Sequence, residues 1–352
     1  MTVTLGSPLP PDPEVFAELA AGIWDRARWS NGGPLVATLE RRIEEREGWT
    51  HATATASGTA ALTAALLALD LPRGGEVITS PLTFRATALA VESAGLVPVF
   101  AAVDPETLNL APDAVAQVIG RSTAAILPVH LFGVAADPGL DQLAQEHALP
   151  IVYDAAHAFG HAGVVGRGTM TAYSLHATKL LHTGEGGFVA TESVTLDQRV
   201  REVVNFGIDG GDGHAGINGK LSELAAAVGL AALPRLNEEV AARRALRAAY
   251  TDAIEASPRA SVHAPDHDRA LIMEVLRCSP DEQSVIVAEL ADLGIIARTF
   301  PALCVGGRFA DAPISDAAAR SAVELSRSVI ALPFHGRVQR MHVDAVSEVL
   351  SR

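Results

Sequence analysis

Apolar positions between residues 34 and 191 follow two alternating rhythms. Short, mostly apolar runs at 52–56, 76–79, 97–101, 124–128, 150–153, 171–174 and 187–191 alternate with stretches of helical periodicity such as 83–94 and 138–147. That alternation predicts an α/β fold in which a mainly parallel sheet is covered by helices. Asp137 and Pro138 supply an N-cap and a first helical position for the second of those helices. From 222 to 256 the pattern stays helical, with a break or kink expected at Pro234. A strand over 270–276 and a helix over 281–293 then predict a smaller α+β unit. The chain thus divides into residues 1–235 and 236–352. The glycine-rich stretch 207–216 reads as a mobile loop between elements, and the chain has no internal repeats or low-complexity tracts.

Composition narrows the function without naming it. At 352 residues and 49% hydrophobic content the chain can bury a large core. Its net charge of −14 argues against nucleic acid and anionic membranes as partners. Two cysteines, Cys278 and Cys304, are too few for a disulfide framework, which predicts reduced thiols and a cytoplasmic setting. The opening Met1-Thr-Val-Thr-Leu-Gly lacks the charged and apolar regions of a signal peptide, and no apolar run reaches the roughly 20 residues of a membrane span.

The chemistry gathers around one amine. Lys179 lies in Ser174-Leu-His-Ala-Thr-Lys179-Leu-Leu-His-Thr-Gly-Glu-Gly-Gly187, among small, hydroxyl and glycine residues that let other groups approach closely. Such a lysine suits Schiff-base chemistry if it is partly desolvated; taken alone, it is equally a solvated charge. Asp154 ends the apolar run Leu149-Pro-Ile-Val-Tyr-Asp154, 25 residues earlier, where open parallel sheets bind ligands. Pyridoxal phosphate needs such a carboxylate at its ring nitrogen and a lysine at its aldehyde, although Asp154 by itself also reads as a helix N-cap. Ser57-Gly58-Thr59 opens a strongly helical segment, so its amides and the helix dipole can hold a phosphate, or the motif is an ordinary cap. Ser174 could add a hydroxyl to the same phosphate.

With these pieces together the chain resembles the sugar aminotransferases of the DegT/DnrJ/StrS family, a branch of the fold type I pyridoxal phosphate enzymes. The resemblance runs through Asn31-Gly-Gly-Pro-Leu35, Ser57 to Leu62, Glu76 to Phe84, Val129-His-Leu-Phe-Gly133, Asp154-Ala-Ala-His157, Ser174 to Gly187, and Gly216-Ile-Asn218-Gly-Lys220-Leu-Ser-Glu223. It implies a large domain built on a seven-stranded sheet and a homodimer whose active site is shared across the interface. It also implies that Lys179 forms the Schiff base and moves the proton, and that Asp154 pairs with the pyridine nitrogen. Phe84 would stack on the ring, with core packing as its competing reading. Gly58, Thr59 and Ser174 would hold the phosphate, Asn218 would reach it from the neighbouring subunit, and His157 would meet the phenolic oxygen or serve as a packed or capping residue. His130, His176 and His182 share these motifs but have no ligand partner at zinc-like spacing, so they read as shaping residues and no metal is expected.

The implied reaction moves an amino group from glutamate or glutamine to a keto sugar carried on a nucleotide, with wording closest to members that aminate C-4. Alternatives are a lyase, a dehydratase, or a transaminase for a cyclitol or carboxylate-bearing substrate; a non-catalytic binding protein on the same fold is a further one. Lys220 and Arg298 are candidates for the substrate's phosphates, and each is equally a surface charge. Two departures from the family pattern concern the substrate. Arg85 follows Phe84 where a small or apolar residue is usual, and could bind a carboxylate or point to solvent. Cys304 and Val305 stand near the place where a substrate-side histidine is expected.

Overall fold

The computed structural model describes residues 2–208, 215–255, 257–300 and 304–352. Two helices, α1 (Pro13–Arg26) and α2 (Pro34–Glu47), precede an alternating series: β1 (His51–Thr55), α3 (Gly58–Ala68), β2 (Glu76–Thr79), α4 (Arg85–Ser93), β3 (Val97–Phe100), α5 (Pro112–Val118), β4 (Thr123–Leu127), α6 (Gly139–Glu146), β5 (Val152–Asp154), β6 (Met170–Ser174), β7 (Gly187–Thr191) and α7 (Val194–Val204). The helical stretch that follows is α8 (Glu223–Ala232) and α9 (Leu236–Glu255), interrupted by a 3-10 turn containing Pro234. The remainder is β8 (Ala260–Val262), β9 (Glu274–Cys278), α10 (Gln283–Asp292), β10 (Arg298–Thr299), α11 (Asp316–Ser326), β11 (Val329–Leu332) and α12 (Arg340–Leu350).

The first seven strands form two hydrogen-bonded groups, β1-β7-β6-β5 and β3-β2-β4. Parallel bridges Ile126 to Ile151 and Val129 to Asp154 join them, so the surface runs β1-β7-β6-β5-β4-β2-β3. Only β7 runs against its neighbours. Helix α3 is apolar on nearly every face and buries Ala61 to Leu66, because it is packed between the sheet and helices α4 and α7. The second sheet, β10-β11-β9-β8, is antiparallel and packs Leu276, Ile330 and Leu332 against Tyr250, Ile254, Val346 and Val349 of α9 and α12. The chain's beginning joins this second layer: Val3 pairs with Ile295, the Phe334 amide donates to Leu5, and His335 Nε2 donates to the Thr4 carbonyl at 3.0 Å. Among the described residues no helix is long and apolar enough to cross a membrane.

Some boundaries differ from expectation. Helix α6 starts at Gly139 with Pro138 as its N-cap, so Asp137 lies one residue further out; its carboxylate still accepts the Gly139 amide at 2.7 Å. The strand expected at 270–276 forms at β9 instead, because residues 269 and 270 pair with Val134 and Gly133 of the first unit. Of the glycine-rich loop, residues 209–214 lie outside the described residues.

Glu223 explains the Asn31 to Leu35 motif. Its fully buried carboxylate accepts the Leu35 and Val36 amides at 3.0 and 2.9 Å, capping α2 from the first residue of α8. Gly33, the N-cap of α2, brings no side chain, and a Cβ there would lie 2.4 Å from the Glu223 carboxyl carbon. Glu223→Ala is expected to cost about 2–3 kcal/mol in a urea unfolding curve, the loss of two charge-assisted hydrogen bonds to buried amides. A change below about 0.5 kcal/mol would show that water replaces the carboxylate.

Candidate active site

Asp154 closes β5 at the carboxyl end of the parallel strands, and its backbone is held by the Pro128 carbonyl and the His130 amide. Its side chain is buried; Oδ2 accepts from the Thr87 hydroxyl at 2.7 Å and Oδ1 from the Ala156 amide at 3.0 Å. Burial raises its pKa above the usual carboxylate value, opposed by Thr87, the Ala156 amide and the Lys179 charge. Lys179 sits in the tight connection between β6 and β7. That connection is closed by the Leu175 amide on Gly186, the Ala177 amide on Gly184 and the Lys179 amide on His176. Burial lowers the amine to about 8, against the pull of Asp154. Desolvation therefore outweighs the mutual attraction at both groups, and the amine is available as a nucleophile near neutral pH.

His157 faces the same space. Its buried Nδ1 has no hydrogen-bond partner among the described residues, and burial, then the Lys179 charge, hold the ring well below the usual histidine pKa. Phe132 lies parallel to it, at a centroid distance of 6.3 Å, in a left-handed backbone conformation (φ 53°) that a non-glycine residue adopts only when its surroundings impose it. Here the neighbours doing so are Ala270, which bonds to Gly133, and Phe300, 4.9 Å from the Phe132 ring.

At the same, carboxyl end of β6, Ser57 caps α3 by accepting the Ala60 amide at 3.1 Å. The amides of Gly58 and Thr59 have no acceptor among the described residues. A Cβ on Gly58 would stand 2.9 Å from the Ser174 Cβ, so glycine lets the helix N-terminus abut β6 beside the Ser174 hydroxyl. Two free amides, a helix dipole and a hydroxyl make an anion site.

The remaining expected residues are less gathered. Phe84, 65% exposed, is the N-cap of α4, and Arg85 follows it as the exposed first helical residue. Asn218 is exposed on a segment that pairs with Asn205, while Lys220 pairs with Thr55 and lays its ammonium 4.2 Å above the Phe206 ring. Arg298 is exposed on β10 and lies over the Phe300 ring, which packs against Phe132, the ring beside His157. Cys304 packs behind α4 against Ala88, Phe100 and Phe309, where burial pushes its thiol up to about 12. It does not take the place of a substrate-side histidine. His130 stacks on Tyr153 and accepts the Ala136 amide, and His182 bonds the Leu9 carbonyl and the Gly184 amide, so both shape the backbone. Thr87, which touches Asp154 directly, was not expected; the hydroxyls at 83 and 87, four apart at a helix start, were its only trace in the sequence.

Residues 13–351 match the DegT/DnrJ/EryC1/StrS aminotransferase family. A dTDP-4-amino-4,6-dideoxy-D-glucose transaminase of Shigella dysenteriae is 36% identical over 236 residues, which are 65% of this chain and 64% of that protein. The Escherichia coli protein of the same name is 31% identical over 265 residues, 73% of this chain and 71% of its own. The alignment thus spans just under two thirds of the Shigella protein's length. Among solved structures, DesI in the presence of its TDP-sugar product superposes with a TM-score of 0.91 and 31% identity, covering 99% of this chain and 92% of DesI. Amine, carboxylate and helix-end anion site stand in one fold with these proteins, and the chain belongs to the DegT/DnrJ/EryC1/StrS aminotransferase family.

Proposed function

We propose that the protein is a pyridoxal phosphate-dependent aminotransferase of the cytoplasm that moves an amino group from glutamate or glutamine to the keto carbon, C-4, of a sugar nucleotide. The carrying observation is the burial of Lys179 and Asp154 together, each shifted towards its neutral form by lost water. The donor set fits the cofactor: free amides at Gly58 and Thr59 beside Ser174 for the phosphate, Asp154 for the ring nitrogen, and the orphaned Nδ1 of His157 for the phenolic oxygen. When bound, the cofactor supplies the electron-withdrawing ring that takes up electrons released at the substrate carbon. Lys179 Nζ removes the proton from the donor's α-carbon and returns one to the acceptor's former keto carbon. Asp154 would pair with the ring nitrogen and hold its proton there, and the exposed Phe84 side chain would pack on the ring.

The relatives' names support the sugar and the C-4 position, and DesI supports a nucleotide-borne product. We extend the reading to a role in amino-sugar, antibiotic or glycan biosynthesis. A homodimer completes the site: Asn218 crosses to the partner's phosphate, and Lys220 and Arg298 meet the substrate diphosphate. Support comes from the large apolar side chains left exposed around that segment, Phe206 at 52% and Ile208 at 66%, and from Trp24 at 62%. Arg85 favours a second reading, in which the acceptor carries a carboxylate, because this exposed residue directly follows Phe84 in the chain and makes no ion pair among the described residues.

The test is a two-step titration of the purified protein. With pyridoxal phosphate the expected result is a visible Schiff-base band that bleaches with glutamate or glutamine. A keto sugar nucleotide then restores the band and yields the amino sugar. Failure to bleach with any amino donor overturns the transaminase reading, and restoration only by keto acids bearing a carboxylate selects the second one.

A further inference from the structure

We infer that Thr87, backed by Thr83, is a positioning residue that orients the Asp154 carboxylate and ties it to the turn of α4 carrying Phe84, an inference that rests on the cofactor reading above. Among the described residues the carboxylate has two hydrogen bonds, from the Ala156 amide to Oδ1 at 3.0 Å and from the Thr87 hydroxyl to Oδ2 at 2.7 Å. Of these two donors, Thr87 is the one that fixes Oδ2. Its proton is committed to the carboxylate, so the 2.6 Å contact between the two threonine hydroxyls is donated by Thr83. Both O–H bonds point the same way, towards Asp154.

All three side chains are buried, with Thr87 and Asp154 at 0% and 5% exposure and Thr83 at 7%. In dry surroundings, hydrogen bonds in series strengthen one another, and both of these favour the charged carboxylate. They oppose the burial that drives Asp154 towards its neutral form. A neutral Asp154 could not hold a proton on a ring nitrogen.

The pair also sets geometry. Thr83 and Thr87 flank Phe84, and the Thr87 amide donates to the Phe84 carbonyl at 3.1 Å. Rotation or withdrawal of the α4 N-terminus would thus move the ring-covering side chain and release Oδ2 together. Ring stacking and ring protonation are set by one hydrogen-bonded unit.

Two ligands separate this role from simple packing: pyridoxal phosphate, and its carbocyclic analogue in which the ring nitrogen is replaced by C–H. Equilibrium dissociation constants are measured by fluorescence quenching for the full chain as wild type, Thr87→Val, Thr87→Ser and Thr83→Val. Thr87→Val is expected to bind pyridoxal phosphate about tenfold more weakly, the effect of one hydrogen bond to a charged group. Thr87→Ser should restore binding, and Thr83→Val should fall between. The analogue, which offers Asp154 no N–H, should bind Thr87→Val at least as well as wild type. Equal weakening for both ligands, or no weakening for either, overturns the inference, while wild-type protein that binds neither ligand overturns the cofactor reading beneath it. Circular dichroism monitors folding, and Thr87→Ala carries the same comparison if the valine variant does not fold.

Discussion

Lys179→Ala is expected to lower transamination at least about a thousandfold while making the cofactor-free protein more stable. The loss follows from removing the group that both bonds to the cofactor and moves the proton, since general acid–base catalysis alone contributes up to roughly 10⁴-fold. The gain follows from linkage. Burial lowers the amine from the usual lysine value to about 8, so at pH 7 the folded chain carries a charge that it disfavours relative to the unfolded chain. A shift of that size is worth about 3 kcal/mol. The sign is that of a depressed base: folding is penalised below pH 8 and the penalty fades as pH rises towards the unfolded lysine value. Calorimetry at pH 7 should show the alanine variant melting several degrees higher, and the difference should shrink towards pH 10. The same amine fixes a kinetic signature. Schiff-base formation with pyridoxal phosphate, trapped by borohydride, should accelerate with pH and level off above about 8; a midpoint near that of a free lysine would contradict the buried setting.

Asp154→Asn should cost on the order of a hundredfold to a thousandfold in kcat, with little change in substrate KM. The asparagine keeps the volume and can still accept the Ala156 amide, but it brings no charge to the ring nitrogen, and breaking a buried charge pair costs about 3–5 kcal/mol. It also turns a donor towards Thr87, so the two threonine hydroxyls must reverse direction. Asp154 has a pKa raised by burial, so its charged form is disfavoured by folding, and this cost grows as pH rises through the carboxylate range. The asparagine variant without cofactor should therefore be no less stable than wild type at pH 7. A variant that unfolds readily would show that Asp154 holds the β5 end together rather than serving a ligand. A variant with full kcat would remove Asp154 from the chemistry.

The strands of the first sheet were legible because a strand buried on both faces is written as a short apolar run; β2 and β7 lie where the pattern puts them, and the break at Pro234 falls between α8 and α9. Lys179, Asp154 and the Gly58 turn were legible for a related reason, since each sits at the end of such a run, where the sheet topology leads to one edge. What escaped depends on distance along the chain. Glu223 caps a helix 188 residues before it, and no local pattern announces a cap supplied from elsewhere. Thr87 meets Asp154 across 67 residues, through a pairing of α4 with β5 that periodicity does not encode. Cys304 was weighed by its neighbours in sequence, whereas its surroundings are set by α4 and β3, which turn it into a packing residue. Arg85 and Arg298 illustrate the same limit from the other side: an exposed guanidinium leaves no hydrophobic signature to say what it awaits.

The seating of residues 3–5 against the second layer has a consequence for how the chain acquires its structure. Val3 finds Ile295, and Thr4 and Leu5 find His335 and Phe334, only after some 290 to 330 intervening residues have been made. The seven-stranded layer needs none of these partners and can condense while synthesis continues, with the leading segment still unpaired. Closure of the second layer is then a long-loop event, slow for its entropy and last in order.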